Sequence, residues 1–252
     1  MSQYRHPDNW TPIGVDSLEP SAMKVVRSTN HQSVVAGPGS GKTELLAQRA
    51  TYLLQTGKCP DPQRILAISF KFDAAKNLRE RVASRCDSKL ARRFDSHTFG
   101  AFCMNTLVRC RRALPIWCRP DSEFEPLTTK LRDELRAHLQ EPHDRPIYKR
   151  YYDQIQTINR ENFYQNYILD RIPASGFDTD SVRGKLATDW WRKLLDGTPS
   201  RLTFPMISRL VEFLYRENTV LRNALRSTYS HVFMDEFQDT TPWQYDLICT
   251  AF

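Results

Sequence analysis

The stretch Ala36-Gly37-Pro38-Gly39-Ser40-Gly41-Lys42-Thr43 constrains this chain more than any other. It follows a short apolar run, Ser33-Val34-Val35, and precedes Glu44-Leu45-Leu46-Ala47-Gln48-Arg49-Ala50, which has a helical pattern. Strand, glycine-rich loop, helix is the setting that a phosphate-binding loop needs within an α/β fold. Glycines let the backbone wrap closely and aim several N–H groups at one anion. The helix that follows presents its positive end to the same phosphates. In such a loop the cofactor-binding residues are Ala36, Gly37, Pro38, Gly39, Ser40, Gly41, Lys42 and Thr43. Lys42 would reach the β- and γ-phosphates, and the Thr43 hydroxyl would hold Mg²⁺. A flexible turn capping a helix is the plainer alternative, and the flanking pattern weighs against it.

A second element stands near the other end: His231-Val232-Phe233-Met234-Asp235-Glu236-Phe237-Gln238-Asp239-Thr240. An apolar strand ending in two adjacent acids is what such a loop requires opposite it. Asp235 can hold Mg²⁺ together with Thr43. Glu236 is placed to orient or deprotonate an attacking water, and Gln238 to bond that water or sense the γ-phosphate. Alone, the pair of acids reads equally well as a strand ending in solvated charge.

Phe233-Met234-Asp235-Glu236-Phe237-Gln238-Asp239-Thr240, followed by Gln244-Tyr245, closely resembles motif II of the UvrD/Rep/PcrA-type superfamily 1 DNA helicases. Residues 36–43 resemble that family's motif I, where alanine in first position is usual. Ile65-Leu66-Ala67-Ile68-Ser69-Phe70 with Ala74-Ala75 resembles motif Ia, and Phe94-Asp95-Ser96-His97-Thr98-Phe99 resembles motif Ib. The resemblance implies a RecA-like P-loop NTPase domain, a mostly parallel sheet flanked by helices, with a helical insertion subdomain. It implies ATP and Mg²⁺ as cofactors and single-stranded DNA or DNA junctions as partners. DNA contacts would fall on Ser69, Phe70, Lys71, Phe72, Thr98 and Phe99. Residues 1–108 would open the ATP-binding domain, 109–202 form the insertion, and 203–252 return to the domain with motif II.

The pattern is broken in places. The adenine-reading glutamine of the family has Ala22 at its place, and Glu44 stands where an arginine flanks the base, so nucleotide selectivity is open. Asp73 replaces a lysine of motif Ia; it also suits the N-cap of a helix through Val82. Gly100 takes the place of a histidine in motif Ib. Motif III and a second RecA-like domain with its arginine fingers would come after the chain's last residue, Phe252. The expectation is therefore the N-terminal portion of a longer ATP-dependent helicase or translocase, a natural truncation being the alternative, with catalytic roles for Lys42, Glu236 and Gln238. By itself it should bind nucleotide better than it hydrolyses it, since arginine supplies a large part of the rate. The competing reading is a nucleotide-gated DNA-binding protein that never unwinds; a P-loop switch with no nucleic-acid partner is disfavoured by motifs Ia and Ib.

Composition narrows the partners. A formal charge of +7 favours an acidic partner, nucleic acid being the commonest. No apolar run reaches the length of about 18 residues that would suggest a membrane span, and the first residues lack a signal-like apolar segment, so a cytoplasmic location is the default. The six cysteines lack close Cys-x-x-Cys pairs and read as reduced core thiols. The middle reads as helical: Leu127, Leu131, Leu135 and Leu139 at helical spacing, a helix from Pro146 through Tyr151 and Ile158, and another over 181–195 closed by Gly197. Tyr148-Lys149-Arg150-Tyr151-Tyr152 interleaves basic and aromatic groups, as single-strand-binding surfaces do, but an amphipathic helix with core tyrosines explains it better. Trp190-Trp191 suggests one buried ring and one at an edge. Arg109-Cys110-Arg111-Arg112 is the stronger candidate for phosphate contact.

Overall fold

The computed structural model describes residues 4–37, 39–127, 131–140, 146–177 and 180–252. In chain order its first elements are α1 (Pro20–Arg27), α2 (Lys42–Gln55), β1 (Arg64–Ser69), α3 (Phe72–Ala83), α4 (Ser88–Ala91), β2 (Phe94–Thr98) and α5 (Phe99–Cys110). The middle holds β3 (Glu125–Pro126), α6 (Leu131–Gln140), α7 (Pro146–Lys149), α8 (Tyr152–Gln156), α9 (Arg160–Phe163) and α10 (Val182–Leu195). Then follow β4 (Arg201–Leu202), α11 (Phe204–Glu217), α12 (Thr219–Thr228), β5 (Tyr229–Met234) and α13 (Pro242–Ala251). The result is a mixed α/β protein whose main sheet is parallel and flanked by helices. Two compact units emerge, one of residues 1–102 with 223–240, the other of 103–222 with 241–252.

The first unit is built on β1. Its run Ile65-Leu66-Ala67-Ile68-Ser69 is buried throughout, as a central parallel strand covered on both faces must be. β1 pairs in parallel with β2 and β5, giving the order β2-β1-β5. At the strands' starts, Arg64 Nε donates to Asp95 Oδ2 at 2.6 Å and the Tyr229 hydroxyl donates to the same oxygen at 2.9 Å, so all three strands are tied by one carboxylate. Burial would raise the pKa of Asp95, but these two donors and the Arg64 charge hold it below the usual carboxylate range. Trp10, Tyr52, Leu53, Ile65, Leu78 and Phe233 share the core beside the sheet. Trp10 meets Tyr52 edge-on at 5.3 Å and donates its indole N–H to Gln55 Oε1 at 2.9 Å.

Two local expectations fail here. Ser33-Val34-Val35 does not form a strand: no ladder pairs it, and Val35 is 97% exposed. Strand character in so short a run comes from a pairing neighbour, and among the described residues β5 pairs only with β1. Asp73 is not the N-cap of α3; Lys71 occupies that position without a side-chain cap, and Asp73 lies in the first turn, where its charge suits the helix dipole.

The second unit is mainly helical. α11 and α13 pack together, and Arg209, 5% exposed, donates to Asp246 at 2.7 Å and to the Leu169 carbonyl. Leu127 is no part of α6; its N–H donates to the Leu202 carbonyl, extending the short β3–β4 pair. The helix expected from Pro146 is interrupted, α7 ending at Lys149 before α8 begins at Tyr152. Tyr148 is buried and donates to Asp189, which favours the amphipathic reading of residues 148–152. α10 starts where expected, Ser181 accepting from the Gly184 N–H. Both tryptophans are buried, against the expectation of an edge position: Trp190 lies edge-on to His138 and Trp191 stacks on Phe177.

All six cysteines are thiols. Burial pushes Cys103 and Cys118 up to about 12 and Cys86 to about 11, so these stay protonated; Cys249 is exposed and is no core residue. Among the described residues, no group of His, Cys, Asp and Glu is arranged to hold a metal, and no helix is long and apolar enough to cross a membrane.

Candidate nucleotide-binding site

Parallel strands place their C-terminal ends along one edge, and in open α/β sheets that edge is where ligands sit. The register fixes its membership here. Ser69 ends β1 opposite Thr98, which ends β2, while Ile68 stands opposite Met234, so that Asp235 follows directly at the end of β5. The Asp235 N–H donates to the Ile68 carbonyl at 3.0 Å, which seats the acid against β1.

The loop before α2 has the conformation its glycines permit. Gly39 (φ 73°) and Gly41 (φ 79°) are left-handed, a region where a Cβ is strained. Gly41 is the N-cap of α2 and offers no side-chain acceptor, so the first N–H groups of that helix keep no local cap. Lys42 folds back on the loop, its Nζ donating to the carbonyls of Ala36 at 3.1 Å and Gly37 at 3.3 Å; Ser40 Oγ donates to the Gly37 carbonyl at 2.6 Å. Pro38 lies outside the described residues. Thr43, half-buried, begins the helix beside Lys42.

Asp235 is 6% exposed. Burial first, and the neighbouring Glu236 charge second, push its pKa up; the Glu236 backbone N–H and the Lys42 ammonium pull the other way. The Lys42 charge is thus felt at Asp235. A buried carboxylate kept from easy ionisation is poised for a cation, and the Thr43 hydroxyl and Asp235 carboxylate are hard oxygen donors of the kind Mg²⁺ takes. Glu236 is the one described non-glycine residue with positive φ (52°), a left-handed turn that costs about 1–2 kcal/mol. That turn swings the chain off β5, and Gln238 Nε2 donates to Glu236 Oε2 at 2.5 Å. The two residues given roles around water are therefore in contact.

The residues expected to meet DNA divide by exposure. Lys71 and Phe72 are exposed, Phe72 at 71%, and Phe70 is half-buried. Ser69 is wholly buried, its hydroxyl without a partner among the described residues, and Phe99 is 3% exposed. Thr98 is half-buried and its hydroxyl accepts from the Ala101 N–H at 3.1 Å, capping α5.

One cluster escaped the sequence reading. Glu44, two residues beyond the loop lysine, accepts from Arg81 at 2.5 Å, from Arg85 at 2.9 Å and from Gln48 at 2.7 Å. Gln48, wholly buried, also pairs with the backbone of Ile13, donating to its carbonyl at 2.7 Å and accepting from its N–H at 3.2 Å. Glu44 therefore joins α2 to the C-terminal end of α3 and, through Gln48, to the N-terminal segment. The spacing of Arg81 and Arg85, one helical turn apart, was the available signal. Ala22 sits half-buried in α1.

Comparison with known proteins gives the family. Residues 18–252 match the UvrD/REP helicase N-terminal domain. The chain is 27% identical over 223 residues to a probable DNA helicase II homolog of Mycoplasma capricolum, covering 85% of this chain and 29% of that protein. It is 29% identical over 251 residues to the ATP-dependent DNA helicase UvrD1 of Mycobacterium leprae (96% and 31%), and 28% identical over 239 residues to the ATP-dependent DNA helicase PcrA of Bacillus subtilis (93% and 31%). It thus spans about a third of the length of these curated relatives. Matched from near its start to Phe252, the chain belongs to the UvrD/REP helicase N-terminal domain family.

Proposed function

We propose that this chain is the ATP-binding part of an ATP-dependent DNA helicase or translocase, in which hydrolysis is coupled to movement of single-stranded DNA. Residues 1–108 and 203–252 form the RecA-like P-loop domain and 109–202 its helical insertion. Residues 36–43 cradle the phosphates of ATP, with the amides of the loop and of the first turn of α2 as donors. Lys42 leaves the Ala36 and Gly37 carbonyls for the β- and γ-phosphates. Thr43 and Asp235 hold Mg²⁺, which when bound neutralises phosphate charge. Glu236 orients and deprotonates the attacking water, and its contact with Gln238 keeps the carboxylate aimed. The observation that supports this reading is Asp235, 6% exposed, seated at the sheet edge by its N–H on the Ile68 carbonyl and felt by the Lys42 charge.

DNA would be met by Lys71 and Phe72 as a charge and a stacking ring, with Phe70 and the backbone of Ser69, Thr98 and Phe99 shaping their seat. A second RecA-like domain would supply arginine to the γ-phosphate, and the names of the relatives, ATP-dependent DNA helicases, support DNA as the partner. The second reading, a nucleotide-gated DNA binder without unwinding, draws on the altered DNA-motif positions Asp73 and Gly100. The test is calorimetric titration of Mg-ATP into the chain and its Lys42→Ala variant. Binding to the parent and at least a tenfold loss in the variant, with an unchanged melt, is expected; equal affinity rejects the assignment.

A further inference from the structure

Between Asp95 and Asp121 the sequence contains no acidic residue, yet it contains Arg109, Arg111, Arg112 and Arg119. In the structure this stretch leaves α5 and makes two 3₁₀ turns, Arg111–Ala113 and Ile116–Cys118. Arg109 and Arg112 are exposed and make no ion pair among the described residues, although the second unit holds several elsewhere. Beside them Ile116 is 84% exposed, Val108 56% and Trp117 38%. An unpaired pair of guanidinium groups next to exposed apolar side chains has no role in the unit's own core.

The turn is rigid. Arg119 Nη2 donates to the Leu114 carbonyl at 2.7 Å and to the Arg112 carbonyl at 3.1 Å, and its Nε donates to Leu114 at 3.0 Å. Arg111 donates to the Pro120 carbonyl at 3.4 Å. Trp117 is rooted edge-on against Phe177 at 5.2 Å and Phe213 at 5.6 Å. Two of the four arginines thus fix the loop, and two point their charge at solvent. A preorganised surface loses little entropy on binding. Positive charge next to apolar and aromatic faces is the combination by which proteins hold a single strand: cations for the phosphates, flat or apolar groups for bases and sugars.

We propose that residues 108–119 form a further nucleic-acid contact, separate from the strand-end residues, in which Arg109 and Arg112 engage backbone phosphates while Ile116 and the exposed edge of Trp117 lie against bases. This rests on the reading of single-stranded DNA as the partner. An acidic protein surface would satisfy the arginines but gives no use to the apolar side chains that flank them.

The test is fluorescence anisotropy of a labelled oligothymidylate with the 252-residue chain, its Arg109→Ala/Arg112→Ala variant, its Ile116→Ser variant and a Phe72→Ala control. All four altered side chains are exposed, so equal thermal melts serve as the check on folding. The double variant should bind about fivefold more weakly or worse at low salt, and its log-affinity against log-salt slope should fall by about 1.4, two single-strand phosphate contacts. Ile116→Ser should weaken binding with the slope unchanged. Parent-like affinity and slope in both variants, while Phe72→Ala loses affinity, would overturn this contact and leave the DNA reading standing. No binding by the parent would overturn both. Equal competition by polyglutamate, charge for charge, would reassign the surface to acidic proteins and overturn the proposal.

Discussion

Replacing Asp235 by asparagine should move stability and ligand binding in opposite directions. The side chain is 6% exposed, lies beside the Glu236 charge, and has its pKa raised chiefly by burial. A carboxylate whose folded pKa lies above its unfolded value is penalised as an anion. The sign follows: below the unfolded pKa the acid is neutral in both states and nothing is lost, and stability falls as pH rises toward the folded pKa. Asparagine keeps the volume and an acceptor oxygen for the Glu236 N–H but never ionises. Removing a buried, poorly compensated charge at a functional site is worth about 0.5–2 kcal/mol, which is about 1–8 °C in melting temperature for a chain of this size. Asp235→Asn should therefore melt higher than the parent at pH 7.5 without ligand, the gap closing as pH approaches about 4. Its Mg²⁺-dependent affinity for ATP should meanwhile fall at least about tenfold, since an amide replaces a charged ligand. Differential scanning fluorimetry across pH, with and without Mg-ATP, measures both. A lower melt for Asp235→Asn at pH 7.5 would refute the reasoning, because the carboxylate would then be a structural ion pair rather than a waiting ligand.

Other perturbations reach different parts of the account. Glu44→Ala leaves Arg85, only 9% exposed at its side chain, without its partner. It should cost about 1–3 kcal/mol, measured by urea unfolding, because the buried guanidinium loses a carboxylate while Arg81, more exposed, loses little; an unchanged midpoint would show that the cluster does not hold α2 to α3. Glu236→Gln in a protein that includes the second domain should keep ATP affinity while steady-state hydrolysis drops at least about tenfold, and parent-like turnover would remove Glu236 from its role.

The parts of this protein that depend on local pattern were legible. The apolar run ahead of Asp235 became β5, the segment after Lys42 became α2, and Ser181 opened α10, each because periodicity and caps are encoded within a few residues. Parts decided by distant partners were not. Val34 and Val35 look like strand, yet strand status needs a ladder neighbour that no local rule supplies. Both Trp190 and Trp191 are buried because α10 is covered on two sides, by His138 on one and Phe177 on the other. Glu44 gave no sign that its partners lie 37 and 41 positions away. At the candidate site, residue types suggested a chemistry, whereas burial of Ser69 and Phe99 at the same sheet edge came only from packing.

Under the proposed function, residues 36–43 and the end of β5 make one nucleotide site. Amide hydrogen exchange of the chain, with and without saturating Mg-ATP, tests it most directly. The account predicts slowed exchange in the loop, in the first turn of α2 and at residues 234–236 together. Slowed exchange confined to other regions, or none in the loop, would contradict it.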